Sequence, residues 1–227
     1  MPENTYLVFS TPPEGMSAEE YGSWYQGHLA DILRVEGFDA ARRFNLEAQR
    51  GDTAPTMYPH LAFYVISGEP HETLERLGPA MADGSIPMPD WWGGVRFASF
   101  YAYGLEGPID LDALDHMYAV FSRQPAGMGL DEYLDWYHTH ARENCTATGF
   151  ERAWRYRLER DAVDERAPCE SVHAAFYEVH GEMPELRAAL KEAADAGRVG
   201  FPDWFGDILF ASMEGRAAGP VVAGVGV

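Results

Sequence analysis

The chain repeats itself once. Tyr6-Leu-Val-Phe-Ser10 returns as Tyr118-Ala-Val-Phe-Ser122, displaced by 112 residues. At the same displacement Met16 matches Met128, Glu20-Tyr21 matches Glu132-Tyr133, and Trp24-Tyr25 matches Trp136-Tyr137. His28 matches His140, Gly37-Phe38 matches Gly149-Phe150, and Arg43 matches Arg155. An inserted residue then moves the displacement to 113: His60-Leu-Ala-Phe-Tyr64 pairs with His173-Ala-Ala-Phe-Tyr177, and Pro89-Asp90-Trp91-Trp92 with Pro202-Asp203-Trp204-Phe205. Phe97 and Ser99 likewise pair with Phe210 and Ser212. Two copies of about 100 residues are too long and too few for a solenoid. The pattern predicts two domain-sized modules fused head to tail, residues 1–107 and 116–215, with a C-terminal tail at 216–227. The joint is the short acidic stretch from Gly107-Pro108 to Asp115.

Each copy reads in the same order. Residues 5–10 are β-branched and aromatic and predict a strand. Ser17 with Glu20 fits a capping box, which opens a helix running to about Val35 and stopping at Gly37. Tyr21, Trp24, Tyr25, His28 and Ile32 then fall on one face of a 3.6-residue period. Strands follow at 41–48 and 60–66, a helix at Thr73–Asp83 and a strand at Phe97–Tyr103. The result is βαββαβ, the ferredoxin-like unit, with helices on one sheet face. The fold class is therefore α+β: two ferredoxin-like modules whose antiparallel sheets pack their bare faces together in a pseudo-dimeric α/β barrel.

Charge and composition narrow the partners. With 17 basic and 36 acidic residues the net charge is −19. Such a surface repels phosphate backbones and anionic lipid, so neither nucleic acid nor membrane is an expected partner. No stretch reaches the roughly 20 apolar residues of a membrane span, and Met1-Pro-Glu-Asn4 lacks a basic, apolar leader pattern. Cys145 and Cys169 are too few for a disulfide framework, which suits free thiols in a reducing cytoplasm. A homodimer of the pseudo-dimeric chain is compatible with the sequence.

Four constellations could carry chemistry. The first is Tyr21-x-x-Trp24-Tyr25-x-x-His28 with its echo Tyr133-x-x-Trp136-Tyr137-x-x-His140. An imidazole on an aromatic helix stripe can exchange protons near neutral pH, or can serve as a structural donor to a loop carbonyl. Second, His60-x-Ala62-x-Tyr64 and His173-x-Ala175-x-Tyr177 each place a histidine and a tyrosine on one strand face with a small residue between them. That spacing leaves room for a ligand, unless the histidine is an edge residue and the tyrosine core. Third, Arg43 and Arg155 either face solvent or turn inward to an anion such as a carboxylate or phenolate. Fourth, Trp91-Trp92 and Trp204-Phe205 read as loop anchors over the barrel mouth, where a planar substrate would also stack. No HExxH, CxxC, glycine-rich phosphate loop or G-x-S-x-G elbow is present, so neither a metal nor another cofactor is expected. Cys145 reads as a buried inert thiol.

The copies have also diverged. Gln26, Ala30, Asp31, Ile32 and Leu33 become His138, Arg142, Glu143, Asn144 and Cys145. The second copy has more polar groups around its histidine and is the expected seat of chemistry, while the first reads as a relic or a second binding site.

The element order, the Tyr-x-x-Trp-Tyr-x-x-His helix, the Pro-Asp-Trp-aromatic loop and the Phe-x-Ser strand together resemble the dimeric α/β-barrel superfamily, and within it the EthD-like group. The likeness covers residues 5–105 and 117–215. It implies a pocket between each sheet and its helices, a small aromatic substrate and a helix histidine near the reacting atom. The superfamily includes cofactor-free quinone-forming monooxygenases, polyketide cyclases, lactone isomerases, decarboxylases and haem enzymes, so the fold does not select the reaction. The leading expectation is a cofactor-independent lyase, a decarboxylase of an aromatic or polycyclic acid, with dehydratase, cyclase or isomerase chemistry using the same groups. Its catalytic residues would be His28, His140, His60, His173, Tyr64 and Tyr177. Its binding residues would be Arg43, Arg155, Trp24, Trp136, Tyr25, Tyr137, Tyr21 and Tyr133. The alternatives are a cofactor-free monooxygenase on a phenol, a haem enzyme with a helix histidine as axial ligand, and a metabolite-binding protein without catalysis.

Overall fold

The computed structural model describes residues 3–50, 57–163 and 170–224. Cys169 lies outside them. The first copy forms β1 (Asn4–Thr11), α1 (Ala18–Ile32), β2 (Phe38–Arg50), β3 (His60–Ile66), α2 (Pro70–Glu75), α3 (Leu77–Ala82) and β4 (Arg96–Gly104). The second forms β5 (His116–Arg123), α4 (Leu130–Asn144), β6 (Phe150–Val163), β7 (His173–Val179), α5 (Met183–Asp195) and β8 (Leu209–Ala217), and β9 (Val222–Ala223) follows. Short 3₁₀ turns at Asp90–Gly94 and Asp203–Asp207 carry the Pro-Asp-Trp-aromatic motifs.

Local chemistry sets these boundaries. Ser17 caps α1 by accepting from the Glu20 amide at 3.1 Å. The single helix expected over Thr73–Asp83 is two helices, α2 and α3. Pro79 has no amide hydrogen, and its ring crowds the carbonyl of Glu75 four residues back, so a continuous helix cannot cross this point.

The strands run β3-β1-β4-β6-β7-β5-β8-β2, and β2 pairs back to β3. The result is a closed eight-stranded antiparallel barrel. The two copies share edges as well as faces, because β4 pairs with β6 and β2 with β8. Closure leaves no strand edge of the barrel open to another chain. An eight-stranded barrel is just wide enough for side chains to fill, and Leu7, Phe9, Phe44, Phe63, Phe100, Phe121 and Phe176 fill it. Each such buried phenylalanine contributes roughly 1.5–3 kcal/mol of transfer free energy. Alternate residues (Tyr6, Val8 and Ser10 on β1, for example) point outward, under the helices.

The joint between the copies is part of the core. Ile109, Leu111 and Leu114 are buried in the barrel cluster. Arg42, on the same strand face as Phe44, holds this segment. Its guanidinium donates to the Leu111 carbonyl at 2.6 Å and the Gly219 carbonyl at 3.2 Å, and pairs with Asp115. Past β8, Val222 and Ala223 pair with Ala41 and Ala40 of β2.

Gly149 shows how tightly the helix layer sits on the barrel. Its φ is +89°, and an added Cβ would lie 2.6 Å from both the His180 carbonyl oxygen and Leu186 Cδ2. Gly15 has φ +84° with open space around it. Gly15→Ala should therefore cost only the backbone strain, about 1–2 kcal/mol. Gly149→Ala adds a backbone clash and should cost about 3 kcal/mol or more. Chemical denaturation of both variants checks the order.

Candidate functional site

Two cavities lie outside the barrel, each between the sheet and a long helix. The first is walled by α1, β1, β3 and the loop before β4, and its space, open mouth included, is about 850 Å³. The second is walled by α4, β5, β8 and the loop before β8, and measures about 610 Å³ on the same basis. Both are mainly apolar and aromatic. His28 and His140 stand in matching positions in their walls.

The two imidazoles share one environment. Each lies flat on the tryptophan one turn earlier, His28 on Trp24 at 4.7 Å and 16°, His140 on Trp136 at 4.7 Å and 18°. They are 5% and 6% exposed. Nδ1 of each is buried without a hydrogen-bond partner among the described residues. Burial disfavours the charged form and lowers both to about 4, against weaker opposing pulls from Asp31 and Glu143. Both rings are therefore neutral at pH 7 and form part of the cavity walls.

The tyrosines on and behind the same walls keep their protons. Burial raises Tyr25, Tyr64, Tyr137 and Tyr177 above the ordinary phenol range, and they pair as Tyr25 with Tyr64 and Tyr137 with Tyr177. Asn144, which replaces Ile32, donates to the Tyr177 hydroxyl at 3.1 Å. They are hydrogen-bond donors, not bases.

The remaining sequence-selected residues fall into two groups. Tyr25, Tyr64 and Tyr137 line cavities with the helix histidines. His60, His173, Arg43, Arg155, Trp24, Trp136, Tyr21, Tyr133 and Tyr177 stand behind those walls. The room expected over Ala62 and Ala175 is filled, since both are buried under the helices. Arg43 donates to the Gly22 carbonyl at 2.8 Å and covers the Tyr25 ring. Arg155 donates to the Leu134 carbonyl at 2.6 Å, reaches Glu106 at 3.3 Å and covers Tyr137. Both arginines thus turn inward, but their partners are backbone, Glu106, His173 and tyrosine rings. Trp91 and Trp204 pack on Trp24 and Trp136 at 4.7 Å, whereas Trp92 and Phe205 form cavity wall.

Ser122 is a cavity residue that sequence reasoning passed over. The Tyr133 hydroxyl donates to its Oγ at 2.7 Å, and His173 Nδ1 lies 3.2 Å from the same atom. His173 Nε2 faces the Arg155 Nε–H at 3.4 Å, which assigns the ring proton to Nδ1. Ser122 Oγ then accepts twice, and its own proton is free for the cavity. The first copy lacks this relay: His60 Nδ1 faces Asn45 Oδ1 at 3.0 Å and not the matching serine, Ser10.

Among the described residues no group of three His, Cys, Asp or Glu side chains is placed to hold a metal ion. None of their helices is long and apolar enough to cross a membrane. Burial pushes the Cys145 thiol up to about 11, which suppresses the thiolate.

No protein-family model matches the sequence, and no curated protein is significantly similar to it. Solved structures are similar. An anthrone oxidase-like protein superposes over 100% of this chain and 98% of its own, with 15% identity and a TM-score of 0.56. A candidate chlorite dismutase superposes over 96% of this chain and 95% of its own, with 12% identity and a TM-score of 0.50. The fold is the dimeric α/β barrel. Here one chain supplies both halves of the barrel, and the cavities lie where the fold resemblance placed them, between sheet and helices.

Proposed function

We propose that the second cavity abstracts a proton from an apolar phenolic or polycyclic ketone, and that the resulting anion reacts directly with dioxygen: a cofactor-independent monooxygenase. One observation carries this reading. His140, neutral and unpaired at Nδ1, and Ser122, with a free hydroxyl proton, line the same aromatic cavity. That pairs a proton acceptor with a donor to the developing oxyanion. His140 takes a proton from a ring methylene, the electron pair moves to the conjugated carbonyl oxygen, and Ser122 donates to that oxygen. Dioxygen then adds to the carbon, and loss of water leaves a new carbonyl. Overall, CH2 and O2 become C=O and H2O. The anthrone oxidase-like name of one structural neighbour agrees with this chemistry.

Decarboxylation is the second reading, and Arg50 favours it. Its guanidinium lies 4.3 Å over the ring of Phe210, a wall residue, and could hold a carboxylate at the cavity rim. A haem fits the first cavity poorly, because the charged side chain of its wall, Asp161, would repel the propionates.

Incubation with anthrone under air, with an oxygen electrode and mass detection, tests the proposal. The expected result is consumption of one O2 per turnover and a product that has gained one oxygen and lost two hydrogens. Loss of CO2 from a matched aromatic acid without oxygen uptake would favour the second reading. A Soret band in the purified protein would overturn both.

A further inference from the structure

The first cavity carries a charge that the second does not. Asp161 is the one carboxylate in its wall among the described residues, and His28, in the same wall, is neutral. This aspartate reaches the first copy's cavity from β6 of the second copy, across the β4–β6 seam. Its Oδ2 accepts from the Tyr6 hydroxyl at 2.6 Å and the Ser99 hydroxyl at 3.0 Å, and its Oδ1 from the Tyr101 hydroxyl at 3.2 Å. These donors fix the carboxylate in place without cancelling its charge. No Lys, Arg or His pairs with it among the described residues.

What faces the carboxylate is aromatic. Tyr25, Tyr64, Trp92 and Phe97 share its cavity. Ring faces are electronegative and attract cations, and the carboxylate beside them stands at the solvent-exposed rim of the cavity. An aromatic box closed by one unneutralised carboxylate complements an ammonium group on an apolar body. The matching position of the second copy has the opposite character: Gln49 stands where symmetry would repeat Asp161, Arg187 donates to it, and Arg50 covers Phe210.

We propose that the first cavity is a separate binding site for an aryl-alkyl ammonium ligand, anchored by Asp161. The proposal is independent of the chemistry assigned to the second cavity. Calorimetric titration of the full chain at pH 7 tests it with three probes of one size: 2-phenylethylammonium, 2-phenylethanol and 3-phenylpropanoate. The ammonium should bind at least about tenfold more tightly than the alcohol, and the propanoate should not enter this cavity. Asp161→Asn keeps the shape, and its amide oxygen can still accept from Tyr6 and Ser99 while its NH2 donates to the Tyr101 hydroxyl; it should erase the preference and leave alcohol binding unchanged. Ile32→Trp, which fills the first cavity, should abolish ammonium binding, whereas Asn144→Trp in the second should not. Equal affinity for ammonium and alcohol would overturn the proposal. So would a preference that survives Asp161→Asn, or one that is lost in Asn144→Trp but not in Ile32→Trp.

Discussion

His140→Ala should lower turnover in the second cavity by about 10²- to 10⁴-fold, the usual worth of a positioned proton acceptor. The reason lies in where the imidazole sits. Burial holds its protonated form down to about pH 4, so the free base dominates across the neutral range. A base that weak is a poor acceptor in isolation. Formation of the substrate anion changes this, because imidazolium and oxyanion arise together in a dry cavity and stabilise each other. The Ser122 proton lowers the cost further by meeting the developing oxyanion. The acid limb of kcat/KM in the free enzyme should consequently lie near pH 4, not near the 6.5 of an ordinary histidine: lowering the pH through about 4 protonates the base and removes activity. Steady-state rates of the wild type and His140→Ala, with melting temperatures to confirm folding, check both statements. If the rate survives His140→Ala and falls only in His28→Ala, the chemistry belongs to the first cavity. If both variants turn over normally, neither helix imidazole is the proton acceptor and the proposed mechanism is wrong.

Local periodicity made the fold readable and pairing between copies made part of the site unreadable. The α1 stripe Tyr21, Trp24, Tyr25, His28 and Ile32 was legible because a helix covering one sheet face must repeat its apolar residues every 3.6 positions. The capping pair Ser17 and Glu20 marked its start. Strand direction was harder. On β2 the register shifts between Phe38 and Ala40, so parity counted from a strand end does not settle which of Arg42 and Arg43 faces the core end. Arg42 proved to be the clamp on the joint, and Arg43 lies under α1. Asp161 could not be assigned to the first cavity from sequence, because its place depends on β6 pairing with β4 of the other copy, 62 residues from Ser99. Ser122 was visible as a repeat match, but its free proton follows from a chain of contacts through Arg155, His173 and Tyr133, which lie on three different elements. The first copy, expected to be a relic or a second binding site, retains the larger cavity and gains an acid from its neighbour.

The protein should also lose much of its stability between pH 7 and 5, before most carboxylates titrate. His28, His60, His140 and His173 are buried neutral; burial lowers the first three to about 4 and His173 well below its ordinary value. In the unfolded chain each returns to about 6.5. Between those values the unfolded state binds more protons than the native state, so stability falls as pH falls. Full development of each of the first three shifts is worth on the order of 3 kcal/mol, and about 2 kcal/mol of it is present by pH 5. The first three then remove roughly 6 kcal/mol, comparable to the whole stability of many domains, and His173 adds to the loss in the same direction. Titration of the acidic surface opposes this, since a net charge of −19 repels itself and protonation relieves the strain. That relief comes mainly below pH 5, where Asp and Glu titrate, so the histidines control the window above it. The melting temperature should therefore drop by roughly 10–20 °C from pH 7 to pH 5 at constant ionic strength. His60→Gln, which retains a hydrogen-bonding side chain facing Asn45 but cannot be charged, should remove about a quarter of the slope. A melting temperature flat across this window would mean that the imidazoles accept protons in the folded state, and the dry, neutral environment assigned to His140 would fail with it.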